Sequence, residues 1–162
     1  VINLAAYKDF QNYCEEIHQD GGVFLTGGKV KSGGIFDKGY FCEPTFVTDL
    51  PLTHRLWRHE MFLPIATIAK IKSLDEAMSI ANDVNYGLTA GFYGSPEETE
   101  WFFDNIEAGV TYANRPQGAT TGAWPGFQPF GGWKGSGSSG KNAGGHYYLP
   151  LYMREQVRAV VK

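Results

Sequence analysis

From Thr120 to Gly132 the chain reads TTGAWPGFQPFGG, followed by WKGSGSSGKNAGG. Ten glycines fall between Gly118 and Gly145. Glycine gives up more backbone freedom on folding than any other residue, so this density is expected where backbone approaches a ligand or bends sharply. Interleaved aromatic residues would supply ring surface for a small molecule, and a linker or a packed surface loop is the plainer alternative. Gly135, Gly137 and Gly140 spell G-x-G-x-x-G, but a dinucleotide fingerprint needs a strand before it and a helix opening at its end. Here GGWK precedes and KNAGGHYY follows, so no dinucleotide site is expected at these glycines.

The other reactive side chains are scattered. His18, His54, His59 and His146 form no histidine pair at helical spacing and match no metal-spacing pattern, so no metal site is expected. His59-Glu60-Met61-Phe62-Leu63 begins like a zinc-protease motif and lacks the second histidine. Cys14 shares a helical stripe with Phe10, Tyr13 and Ile17, which makes it a small core residue. Cys42 lies in the extended segment GYFCEPTFV with no histidine nearby, and neither thiol reads as a nucleophile.

Several elements must position these residues. Ala5 to Asp20 is expected as a helix stopped by Gly21 and Gly22. Val23 to Leu25 and Tyr40 to Val47 are expected as strands, the second flanked by turn-forming residues. Ile65 to Ile71 is an apolar run of strand length, after which Ser73 and Glu76 open a helix with apolar positions at Leu74, Ala77, Met78 and Ala81. Gly87 to Tyr93 is the next strand. Ser95, Pro96 and Glu98 repeat the start signal for a helix with Phe102, Phe103 and Ile106 on its apolar face. Gly109 stops it and Val110 to Ala113 returns as strand. Strand, helix, strand, helix, strand predicts a parallel sheet with helices on its faces, and ligands in such sheets gather beyond the carboxyl ends of the strands, where the glycine-rich stretch begins. The tail from Leu149 to Lys162 alternates, with Leu151, Met153, Val157, Ala159 and Val161 on one side, and predicts a terminal strand, either an ordinary edge strand or one that pairs with another chain or domain.

The bulk properties narrow the function classes. At 162 residues the chain can build an ordinary core without disulfides. Its net charge of −3 is spread without a basic run, which argues against nucleic acid. No apolar run approaches the roughly twenty residues that span a bilayer, and the amino terminus lacks an export signal. A cytoplasmic protein with no membrane partner is expected.

Taken in order, GYFCEPTFV, HEMFLPIATIAKIKSLDEAMSIANDVNYGLTAGFYG, TYANR and QPFGGWKGSG resemble the carboxyl-terminal part of the aldehyde dehydrogenase superfamily. The resemblance covers nearly the whole chain. TGAWPGFQPFGG and AGGHYYL are similar to its glutamate-semialdehyde (1-pyrroline-5-carboxylate) dehydrogenase branch, which works in proline catabolism. This implies an α/β fold, a three-layer αβα arrangement with a mainly parallel sheet, with residues 1–146 belonging to the catalytic domain and 147–162 forming a terminal oligomerisation or interdomain strand.

In the family a cysteine thiolate attacks the aldehyde, hydride passes to a nicotinamide cofactor, and glutamate-activated water releases the acid. Nucleophile, base and nucleotide-binding domain lie upstream of the segment that this chain resembles. The resemblance therefore implies either a piece of a longer NAD- or NADP-dependent enzyme or the product of a truncated gene, inactive alone, the complete enzyme being a homo-oligomer.

The resemblance also implies roles at matching positions. Glu60, in E-x-F-x-P, corresponds to the glutamate that accepts hydrogen bonds from the nicotinamide ribose, and Phe62 to the aromatic beside that ribose. Leu63 stands where the family usually has glycine. Gly122 and Ala123 correspond to the pair whose backbone N–H groups grip the substrate carboxylate, an arrangement that small residues permit. Phe130 corresponds to the aromatic flanking the aliphatic part of the aldehyde, and Thr121 to an added hydrogen bond. Asn114 matches a strand-end asparagine expected to fix the loop. A different aldehyde substrate, or a non-catalytic assembly module using the terminal strand, are the alternatives.

Overall fold

Phe10, Cys14 and Ile17 are buried and Tyr13 half-buried on one face of helix α1 (Leu4–Gln19), the stripe anticipated from their spacing. The computed structural model describes residues 1–116, 128–139 and 141–162. Within these the chain forms two compact units, Val1–Ile71 and Lys72–Lys162.

In the first unit, α1 begins at Asn3, whose side chain accepts the Ala6 N–H at 2.9 Å, satisfying one of the free donors of the first turn. It ends where Gly21 takes a φ of +88° and the Gly22 N–H returns to the Ile17 carbonyl at 2.8 Å. Three short strands follow in the order β1 (Val23–Thr26), β2 (Thr45–Thr48) and β3 (Ile65–Thr67), with β1 antiparallel and β3 parallel to β2. The strand expected from Tyr40 is shortened to Thr45–Thr48, because Pro44 has no N–H to give a ladder. Cys42 makes only an isolated antiparallel bridge with Val30. Ile17, Val47, Leu50 and Leu56 form the core, with Tyr13, Phe24, Trp57, Met61 and Ile65 packed against it. Buried Thr45 has its hydroxyl satisfied twice, accepting from Gly28 N–H and donating to the Glu43 carbonyl, both at 2.8 Å.

The second unit starts with α2 (Leu74–Asn82), capped by Ser73, whose hydroxyl accepts the Glu76 N–H at 3.2 Å. The Glu76 carboxylate accepts the Lys72 N–H at 2.7 Å. The expected Gly87–Tyr93 strand is divided into β4 (Tyr86–Gly87) and β5 (Thr89–Phe92). Helix α3 (Pro96–Asn105) has the complete reciprocal box, Glu98 N–H to Ser95 Oγ at 3.2 Å and Ser95 N–H to Glu98 Oε2 at 2.8 Å. The Glu97 carboxylate is held below its ordinary pKa by its own backbone N–H and the Ser95 hydroxyl. Strand β6 (Val110–Ala113) runs parallel to β5, so β5, α3 and β6 make the expected parallel unit. Phe102, Ile106 and Ala108 are buried beneath Met78, Ala90, Phe92 and Trp101, with Phe92 and Phe102 stacked at 5.1 Å. Phe103, expected inside, is 46% exposed, and Trp101 packs in its stead.

Two features differ from expectation. The described strands form three small sheets of three, two and two strands rather than one mainly parallel sheet. Strand β3 bonds to β2 and not to β5, a long-range choice that local periodicity does not encode. The terminal segment contributes a 3₁₀ turn at Leu149–Tyr152 and no strand beyond it. A strand needs a ladder partner, and in the single chain Val157, Val160 and Val161 remain exposed. The architecture is mixed α/β. No helix among the described residues is long and apolar enough to cross a membrane.

Candidate functional site

Glu60 and Phe62 follow the 3₁₀ turn Arg55–Trp57 in the first unit. His54 caps that turn, its Nδ1 accepting the Leu56 N–H at 3.2 Å. Nδ1 is thereby the acceptor nitrogen, and Nε2–H donates to Asp20 Oδ2 at 2.9 Å. Arg55 donates from Nε to Glu16 Oε1 at 2.7 Å and from its terminal nitrogen to Oε2. One turn further, His59 Nε2 meets the Tyr13 hydroxyl at 2.9 Å. The base from which Glu60 and Phe62 project is therefore fastened to α1 by a polar network.

Phe62 emerges in an unusual state. Its φ is +54°, and its side chain is 85% exposed. A left-handed backbone costs a bulky residue on the order of 1 kcal/mol or more, and such outliers gather at ligand sites. The neighbouring Glu60 is also exposed. A carboxylate is acceptor-only and can take two donors at once, and an exposed ring face offers apolar packing surface.

The network around Glu16, Asp20 and His54 was not legible in the sequence. Their ligand atoms lie within 4.8 Å of one another, but His54 is 34 residues from Asp20 along the chain. The available hint was the helical spacing of Glu16 and Asp20. Both oxygens of Glu16 are engaged by Arg55, so the cluster is an ion-pair fastening.

The second unit frames the glycine-rich stretch at both ends. At its entry, Asn114 has a φ of +49°. Its side chain accepts the Gly94 N–H at 3.0 Å and donates to the Gly94 carbonyl at 2.9 Å. The Tyr93 hydroxyl donates to the Arg115 carbonyl at 2.8 Å, so the chain leaving β6 is tied to the turn between β5 and α3. These bonds fix the strand end at Asn114, while most of the loop it is expected to hold lies outside the described residues. At the exit, half-buried Phe130 pairs with Ala143, N–H to carbonyl at 2.6 and 3.1 Å. Gly131 and Gly132 are buried, and a Cβ on Gly109 would run into the Gly131 carbonyl. Strand β7 (Trp133–Lys134) pairs with β4, and the Gly135 N–H donates to Asn85 O at 2.9 Å. Lys134 Nζ donates to the Asn82 carbonyl at 2.6 Å, at the end of α2 where a cation is favoured.

Gly135 and Gly137 thus lie in the turn after β7. Thr121, Gly122 and Ala123 lie outside the described residues, as does Gly140. Glu60 and Phe62 belong to one unit and Phe130 to the other.

Comparison with known proteins agrees with these motifs. The profile of the aldehyde dehydrogenase family matches residues 1–157. The chain is 39% identical over 155 residues to a 1-pyrroline-5-carboxylate dehydrogenase of Bacillus licheniformis, covering 95% of this chain and 28% of that protein. To the Bacillus mycoides enzyme of the same name it is 42% identical over 156 residues, covering 94% and 29%. Among solved structures, the 1-pyrroline-5-carboxylate dehydrogenase from Thermus with bound NAD superposes with a TM-score of 0.81 at 36% identity, covering 94% of this chain and 28% of that one. A lactaldehyde dehydrogenase superposes at 0.80 with 29% identity, covering 95% and 30%. The chain spans under a third of the length of each of these relatives. With its profile match running almost end to end, the chain belongs to the aldehyde dehydrogenase family.

Proposed function

We propose that this chain is the carboxyl-terminal portion of the catalytic domain of an enzyme that oxidises L-glutamate γ-semialdehyde to glutamate with NAD or NADP. The observation that carries the cofactor half is the exposed, left-handed Phe62 two residues from the exposed Glu60. The substrate half rests on the relatives' named activity and on the anchored QPFGG segment.

When bound, the nicotinamide cofactor supplies the hydride acceptor. Glu60 accepts hydrogen bonds from the ribose diol and Phe62 packs against that sugar, which fixes the orientation of the cofactor. Backbone N–H groups of Gly122 and Ala123 hold the substrate carboxylate, with Thr121 adding a hydrogen bond and Phe130 flanking the aliphatic stem. The two anchor points at Asn114 and Phe130 hold the ends of that stretch in place. The attacking cysteine and the base that activates water come from the remainder of the polypeptide. Residues 147–162 form a strand only against a second copy or another domain, which buries their exposed valines and makes the complete enzyme a homo-oligomer.

A chimera joins this chain to the upstream portion of the Bacillus licheniformis relative. The chain alone is expected to give no aldehyde-dependent reduction of the nicotinamide cofactor, and the chimera is expected to oxidise glutamate semialdehyde. A rate well above background from the chain alone overturns the placement of the nucleophile. A folded chimera that binds cofactor and oxidises only aldehydes lacking a carboxylate overturns the substrate.

A further inference from the structure

The two cysteines are free thiols, 28 positions apart in sequence, with nothing in their spacing to relate them. The fold of the first unit brings them to one place. Cys14 sits on the inner face of α1 at 8% exposure. It lines a groove shared with Phe10, His18, Phe24 and Val30. Val30 is bridged to Cys42 in antiparallel fashion. The bridge is flanked by Lys31 N–H to Phe41 O at 2.8 Å and Glu43 N–H to Lys29 O at 3.0 Å.

That pattern makes Val30 and Cys42 a non-hydrogen-bonded pair, the kind whose side chains leave on the same face and lie closest, at about 4.5–5.5 Å between Cβ atoms. Cys42 therefore leaves the ladder on the same face as Val30, a residue that lines the groove together with Cys14. Burial, and after it Cys42, raises the pKa of the Cys14 thiol. We propose that Cys14 and Cys42 are a latent dithiol that closes to a disulfide when a low-molecular-weight disulfide such as oxidised glutathione is supplied, tying α1 to the segment around residue 42.

The steps balance. The Cys42 thiolate, the more accessible of the two, attacks one sulfur of oxidised glutathione, forms a mixed disulfide and releases one glutathione thiolate. The Cys14 thiolate then attacks the Cys42 sulfur and displaces the second glutathione. Two protein thiols are oxidised, one small disulfide is reduced to two thiols, and the two protons pass to the departing thiolates. Burial pushes the Cys14 thiol up to about 11, so little of it is ionised at neutral pH and the closing step is the slow one. Glu15 and His18 on α1 and Lys29 beyond β1 are the ionisable neighbours lining the same groove.

The test incubates the folded chain with oxidised glutathione, blocks remaining thiols with N-ethylmaleimide and maps the digest by mass spectrometry. The expected product is a pair of peptides joined through Cys14 and Cys42, with no bound glutathione, released by dithiothreitol. Cys14→Ser is expected to stop at glutathione attached to Cys42, and Cys42→Ser to leave Cys14 alkylated only after unfolding. The oxidised wild type, whose unfolded state is now cross-linked, is expected to melt several degrees higher than the reduced protein. Wild type that retains two alkylatable thiols, that accumulates glutathione on Cys42 without closing, or that links only between chains overturns the proposal. This reading of the wild type stands even if a cysteine variant fails to fold.

Discussion

Asn114 holds both backbone groups of Gly94, accepting from its N–H at 3.0 Å and donating to its carbonyl at 2.9 Å. The asparagine ends β6 and the glycine lies between β5 and α3, so one side chain locks the carboxyl ends of two parallel strands together. Asn114→Ala removes both bonds and leaves alanine at a φ of +49°. The expected loss is about 2–3 kcal/mol, from two hydrogen bonds and the left-handed backbone. Urea denaturation of the two proteins measures it, and an unchanged midpoint would show that the lock contributes nothing.

Phe62 carries strain without local packing to offset it, being 85% exposed. Phe62→Gly relieves the backbone and is expected to stabilise the chain by about 1 kcal/mol. In the complete enzyme the same change is expected to raise the KM for the nicotinamide cofactor several-fold. Calorimetry checks the first effect and initial rates the second. Gain of stability with an unaltered KM would remove Phe62 from the cofactor site.

Gly109 and Gly33 separate space from conformation. A Cβ at Gly109 meets the Gly131 carbonyl, which is backbone and has no rotamer to change, so Gly109→Ala is expected to cost more than about 3 kcal/mol or to prevent the second unit from folding. Gly33 has nothing within 4 Å but a φ of +93°, so Gly33→Ala is expected to cost only about 1 kcal/mol. Equal losses in thermal melts would contradict the close approach at Gly109.

Cys14 gives a pH dependence of definite sign. The thiol ordinarily titrates near 9 and is raised to about 11 in the fold. Its preference for the folded state is fully present below pH 9 and is lost as pH rises toward 11, because the unfolded chain ionises first. The decline is bounded by about 1.4 kcal/mol per pH unit. Denaturant titrations across that range should show a shallower slope for Cys14→Ala than for the wild type.

Gly122 tests the substrate assignment. In the complete enzyme, Gly122→Pro removes one backbone N–H. It is expected to raise the KM at least tenfold for an aldehyde bearing a carboxylate and to leave a neutral aldehyde nearly unaffected. Equal effects on both in steady-state assays would count against recognition by backbone amides.

Local rules carried the reading of the sequence where neighbours in sequence are neighbours in space. Ser95, Pro96 and Glu98 announce α3 because each acts on the backbone within one turn, and the α1 stripe is read from its period alone. Strand pairing is different. Nothing within Ile65–Thr67 states that it will bond to Thr45–Val47, since that choice depends on which ladder the whole unit can complete. Glu60 and Phe62 were accessible through their motif, whereas the left-handed φ of Phe62 follows from how the chain is turned between the 3₁₀ segment and β3. The fastening of His54 to Asp20 and of Arg55 to Glu16 joins residues far apart in sequence and has no local signature.

The anchoring of Asn114 on one side and of Phe130 and Gly131 on the other has a practical implication. Both abutments belong to one compact unit, so the residues between them can be swapped like a cassette. In the complete enzyme, transplanting the intervening fifteen residues, Arg115 to Pro129, from a cousin with another aldehyde preference is expected to retune selectivity while sparing the scaffold.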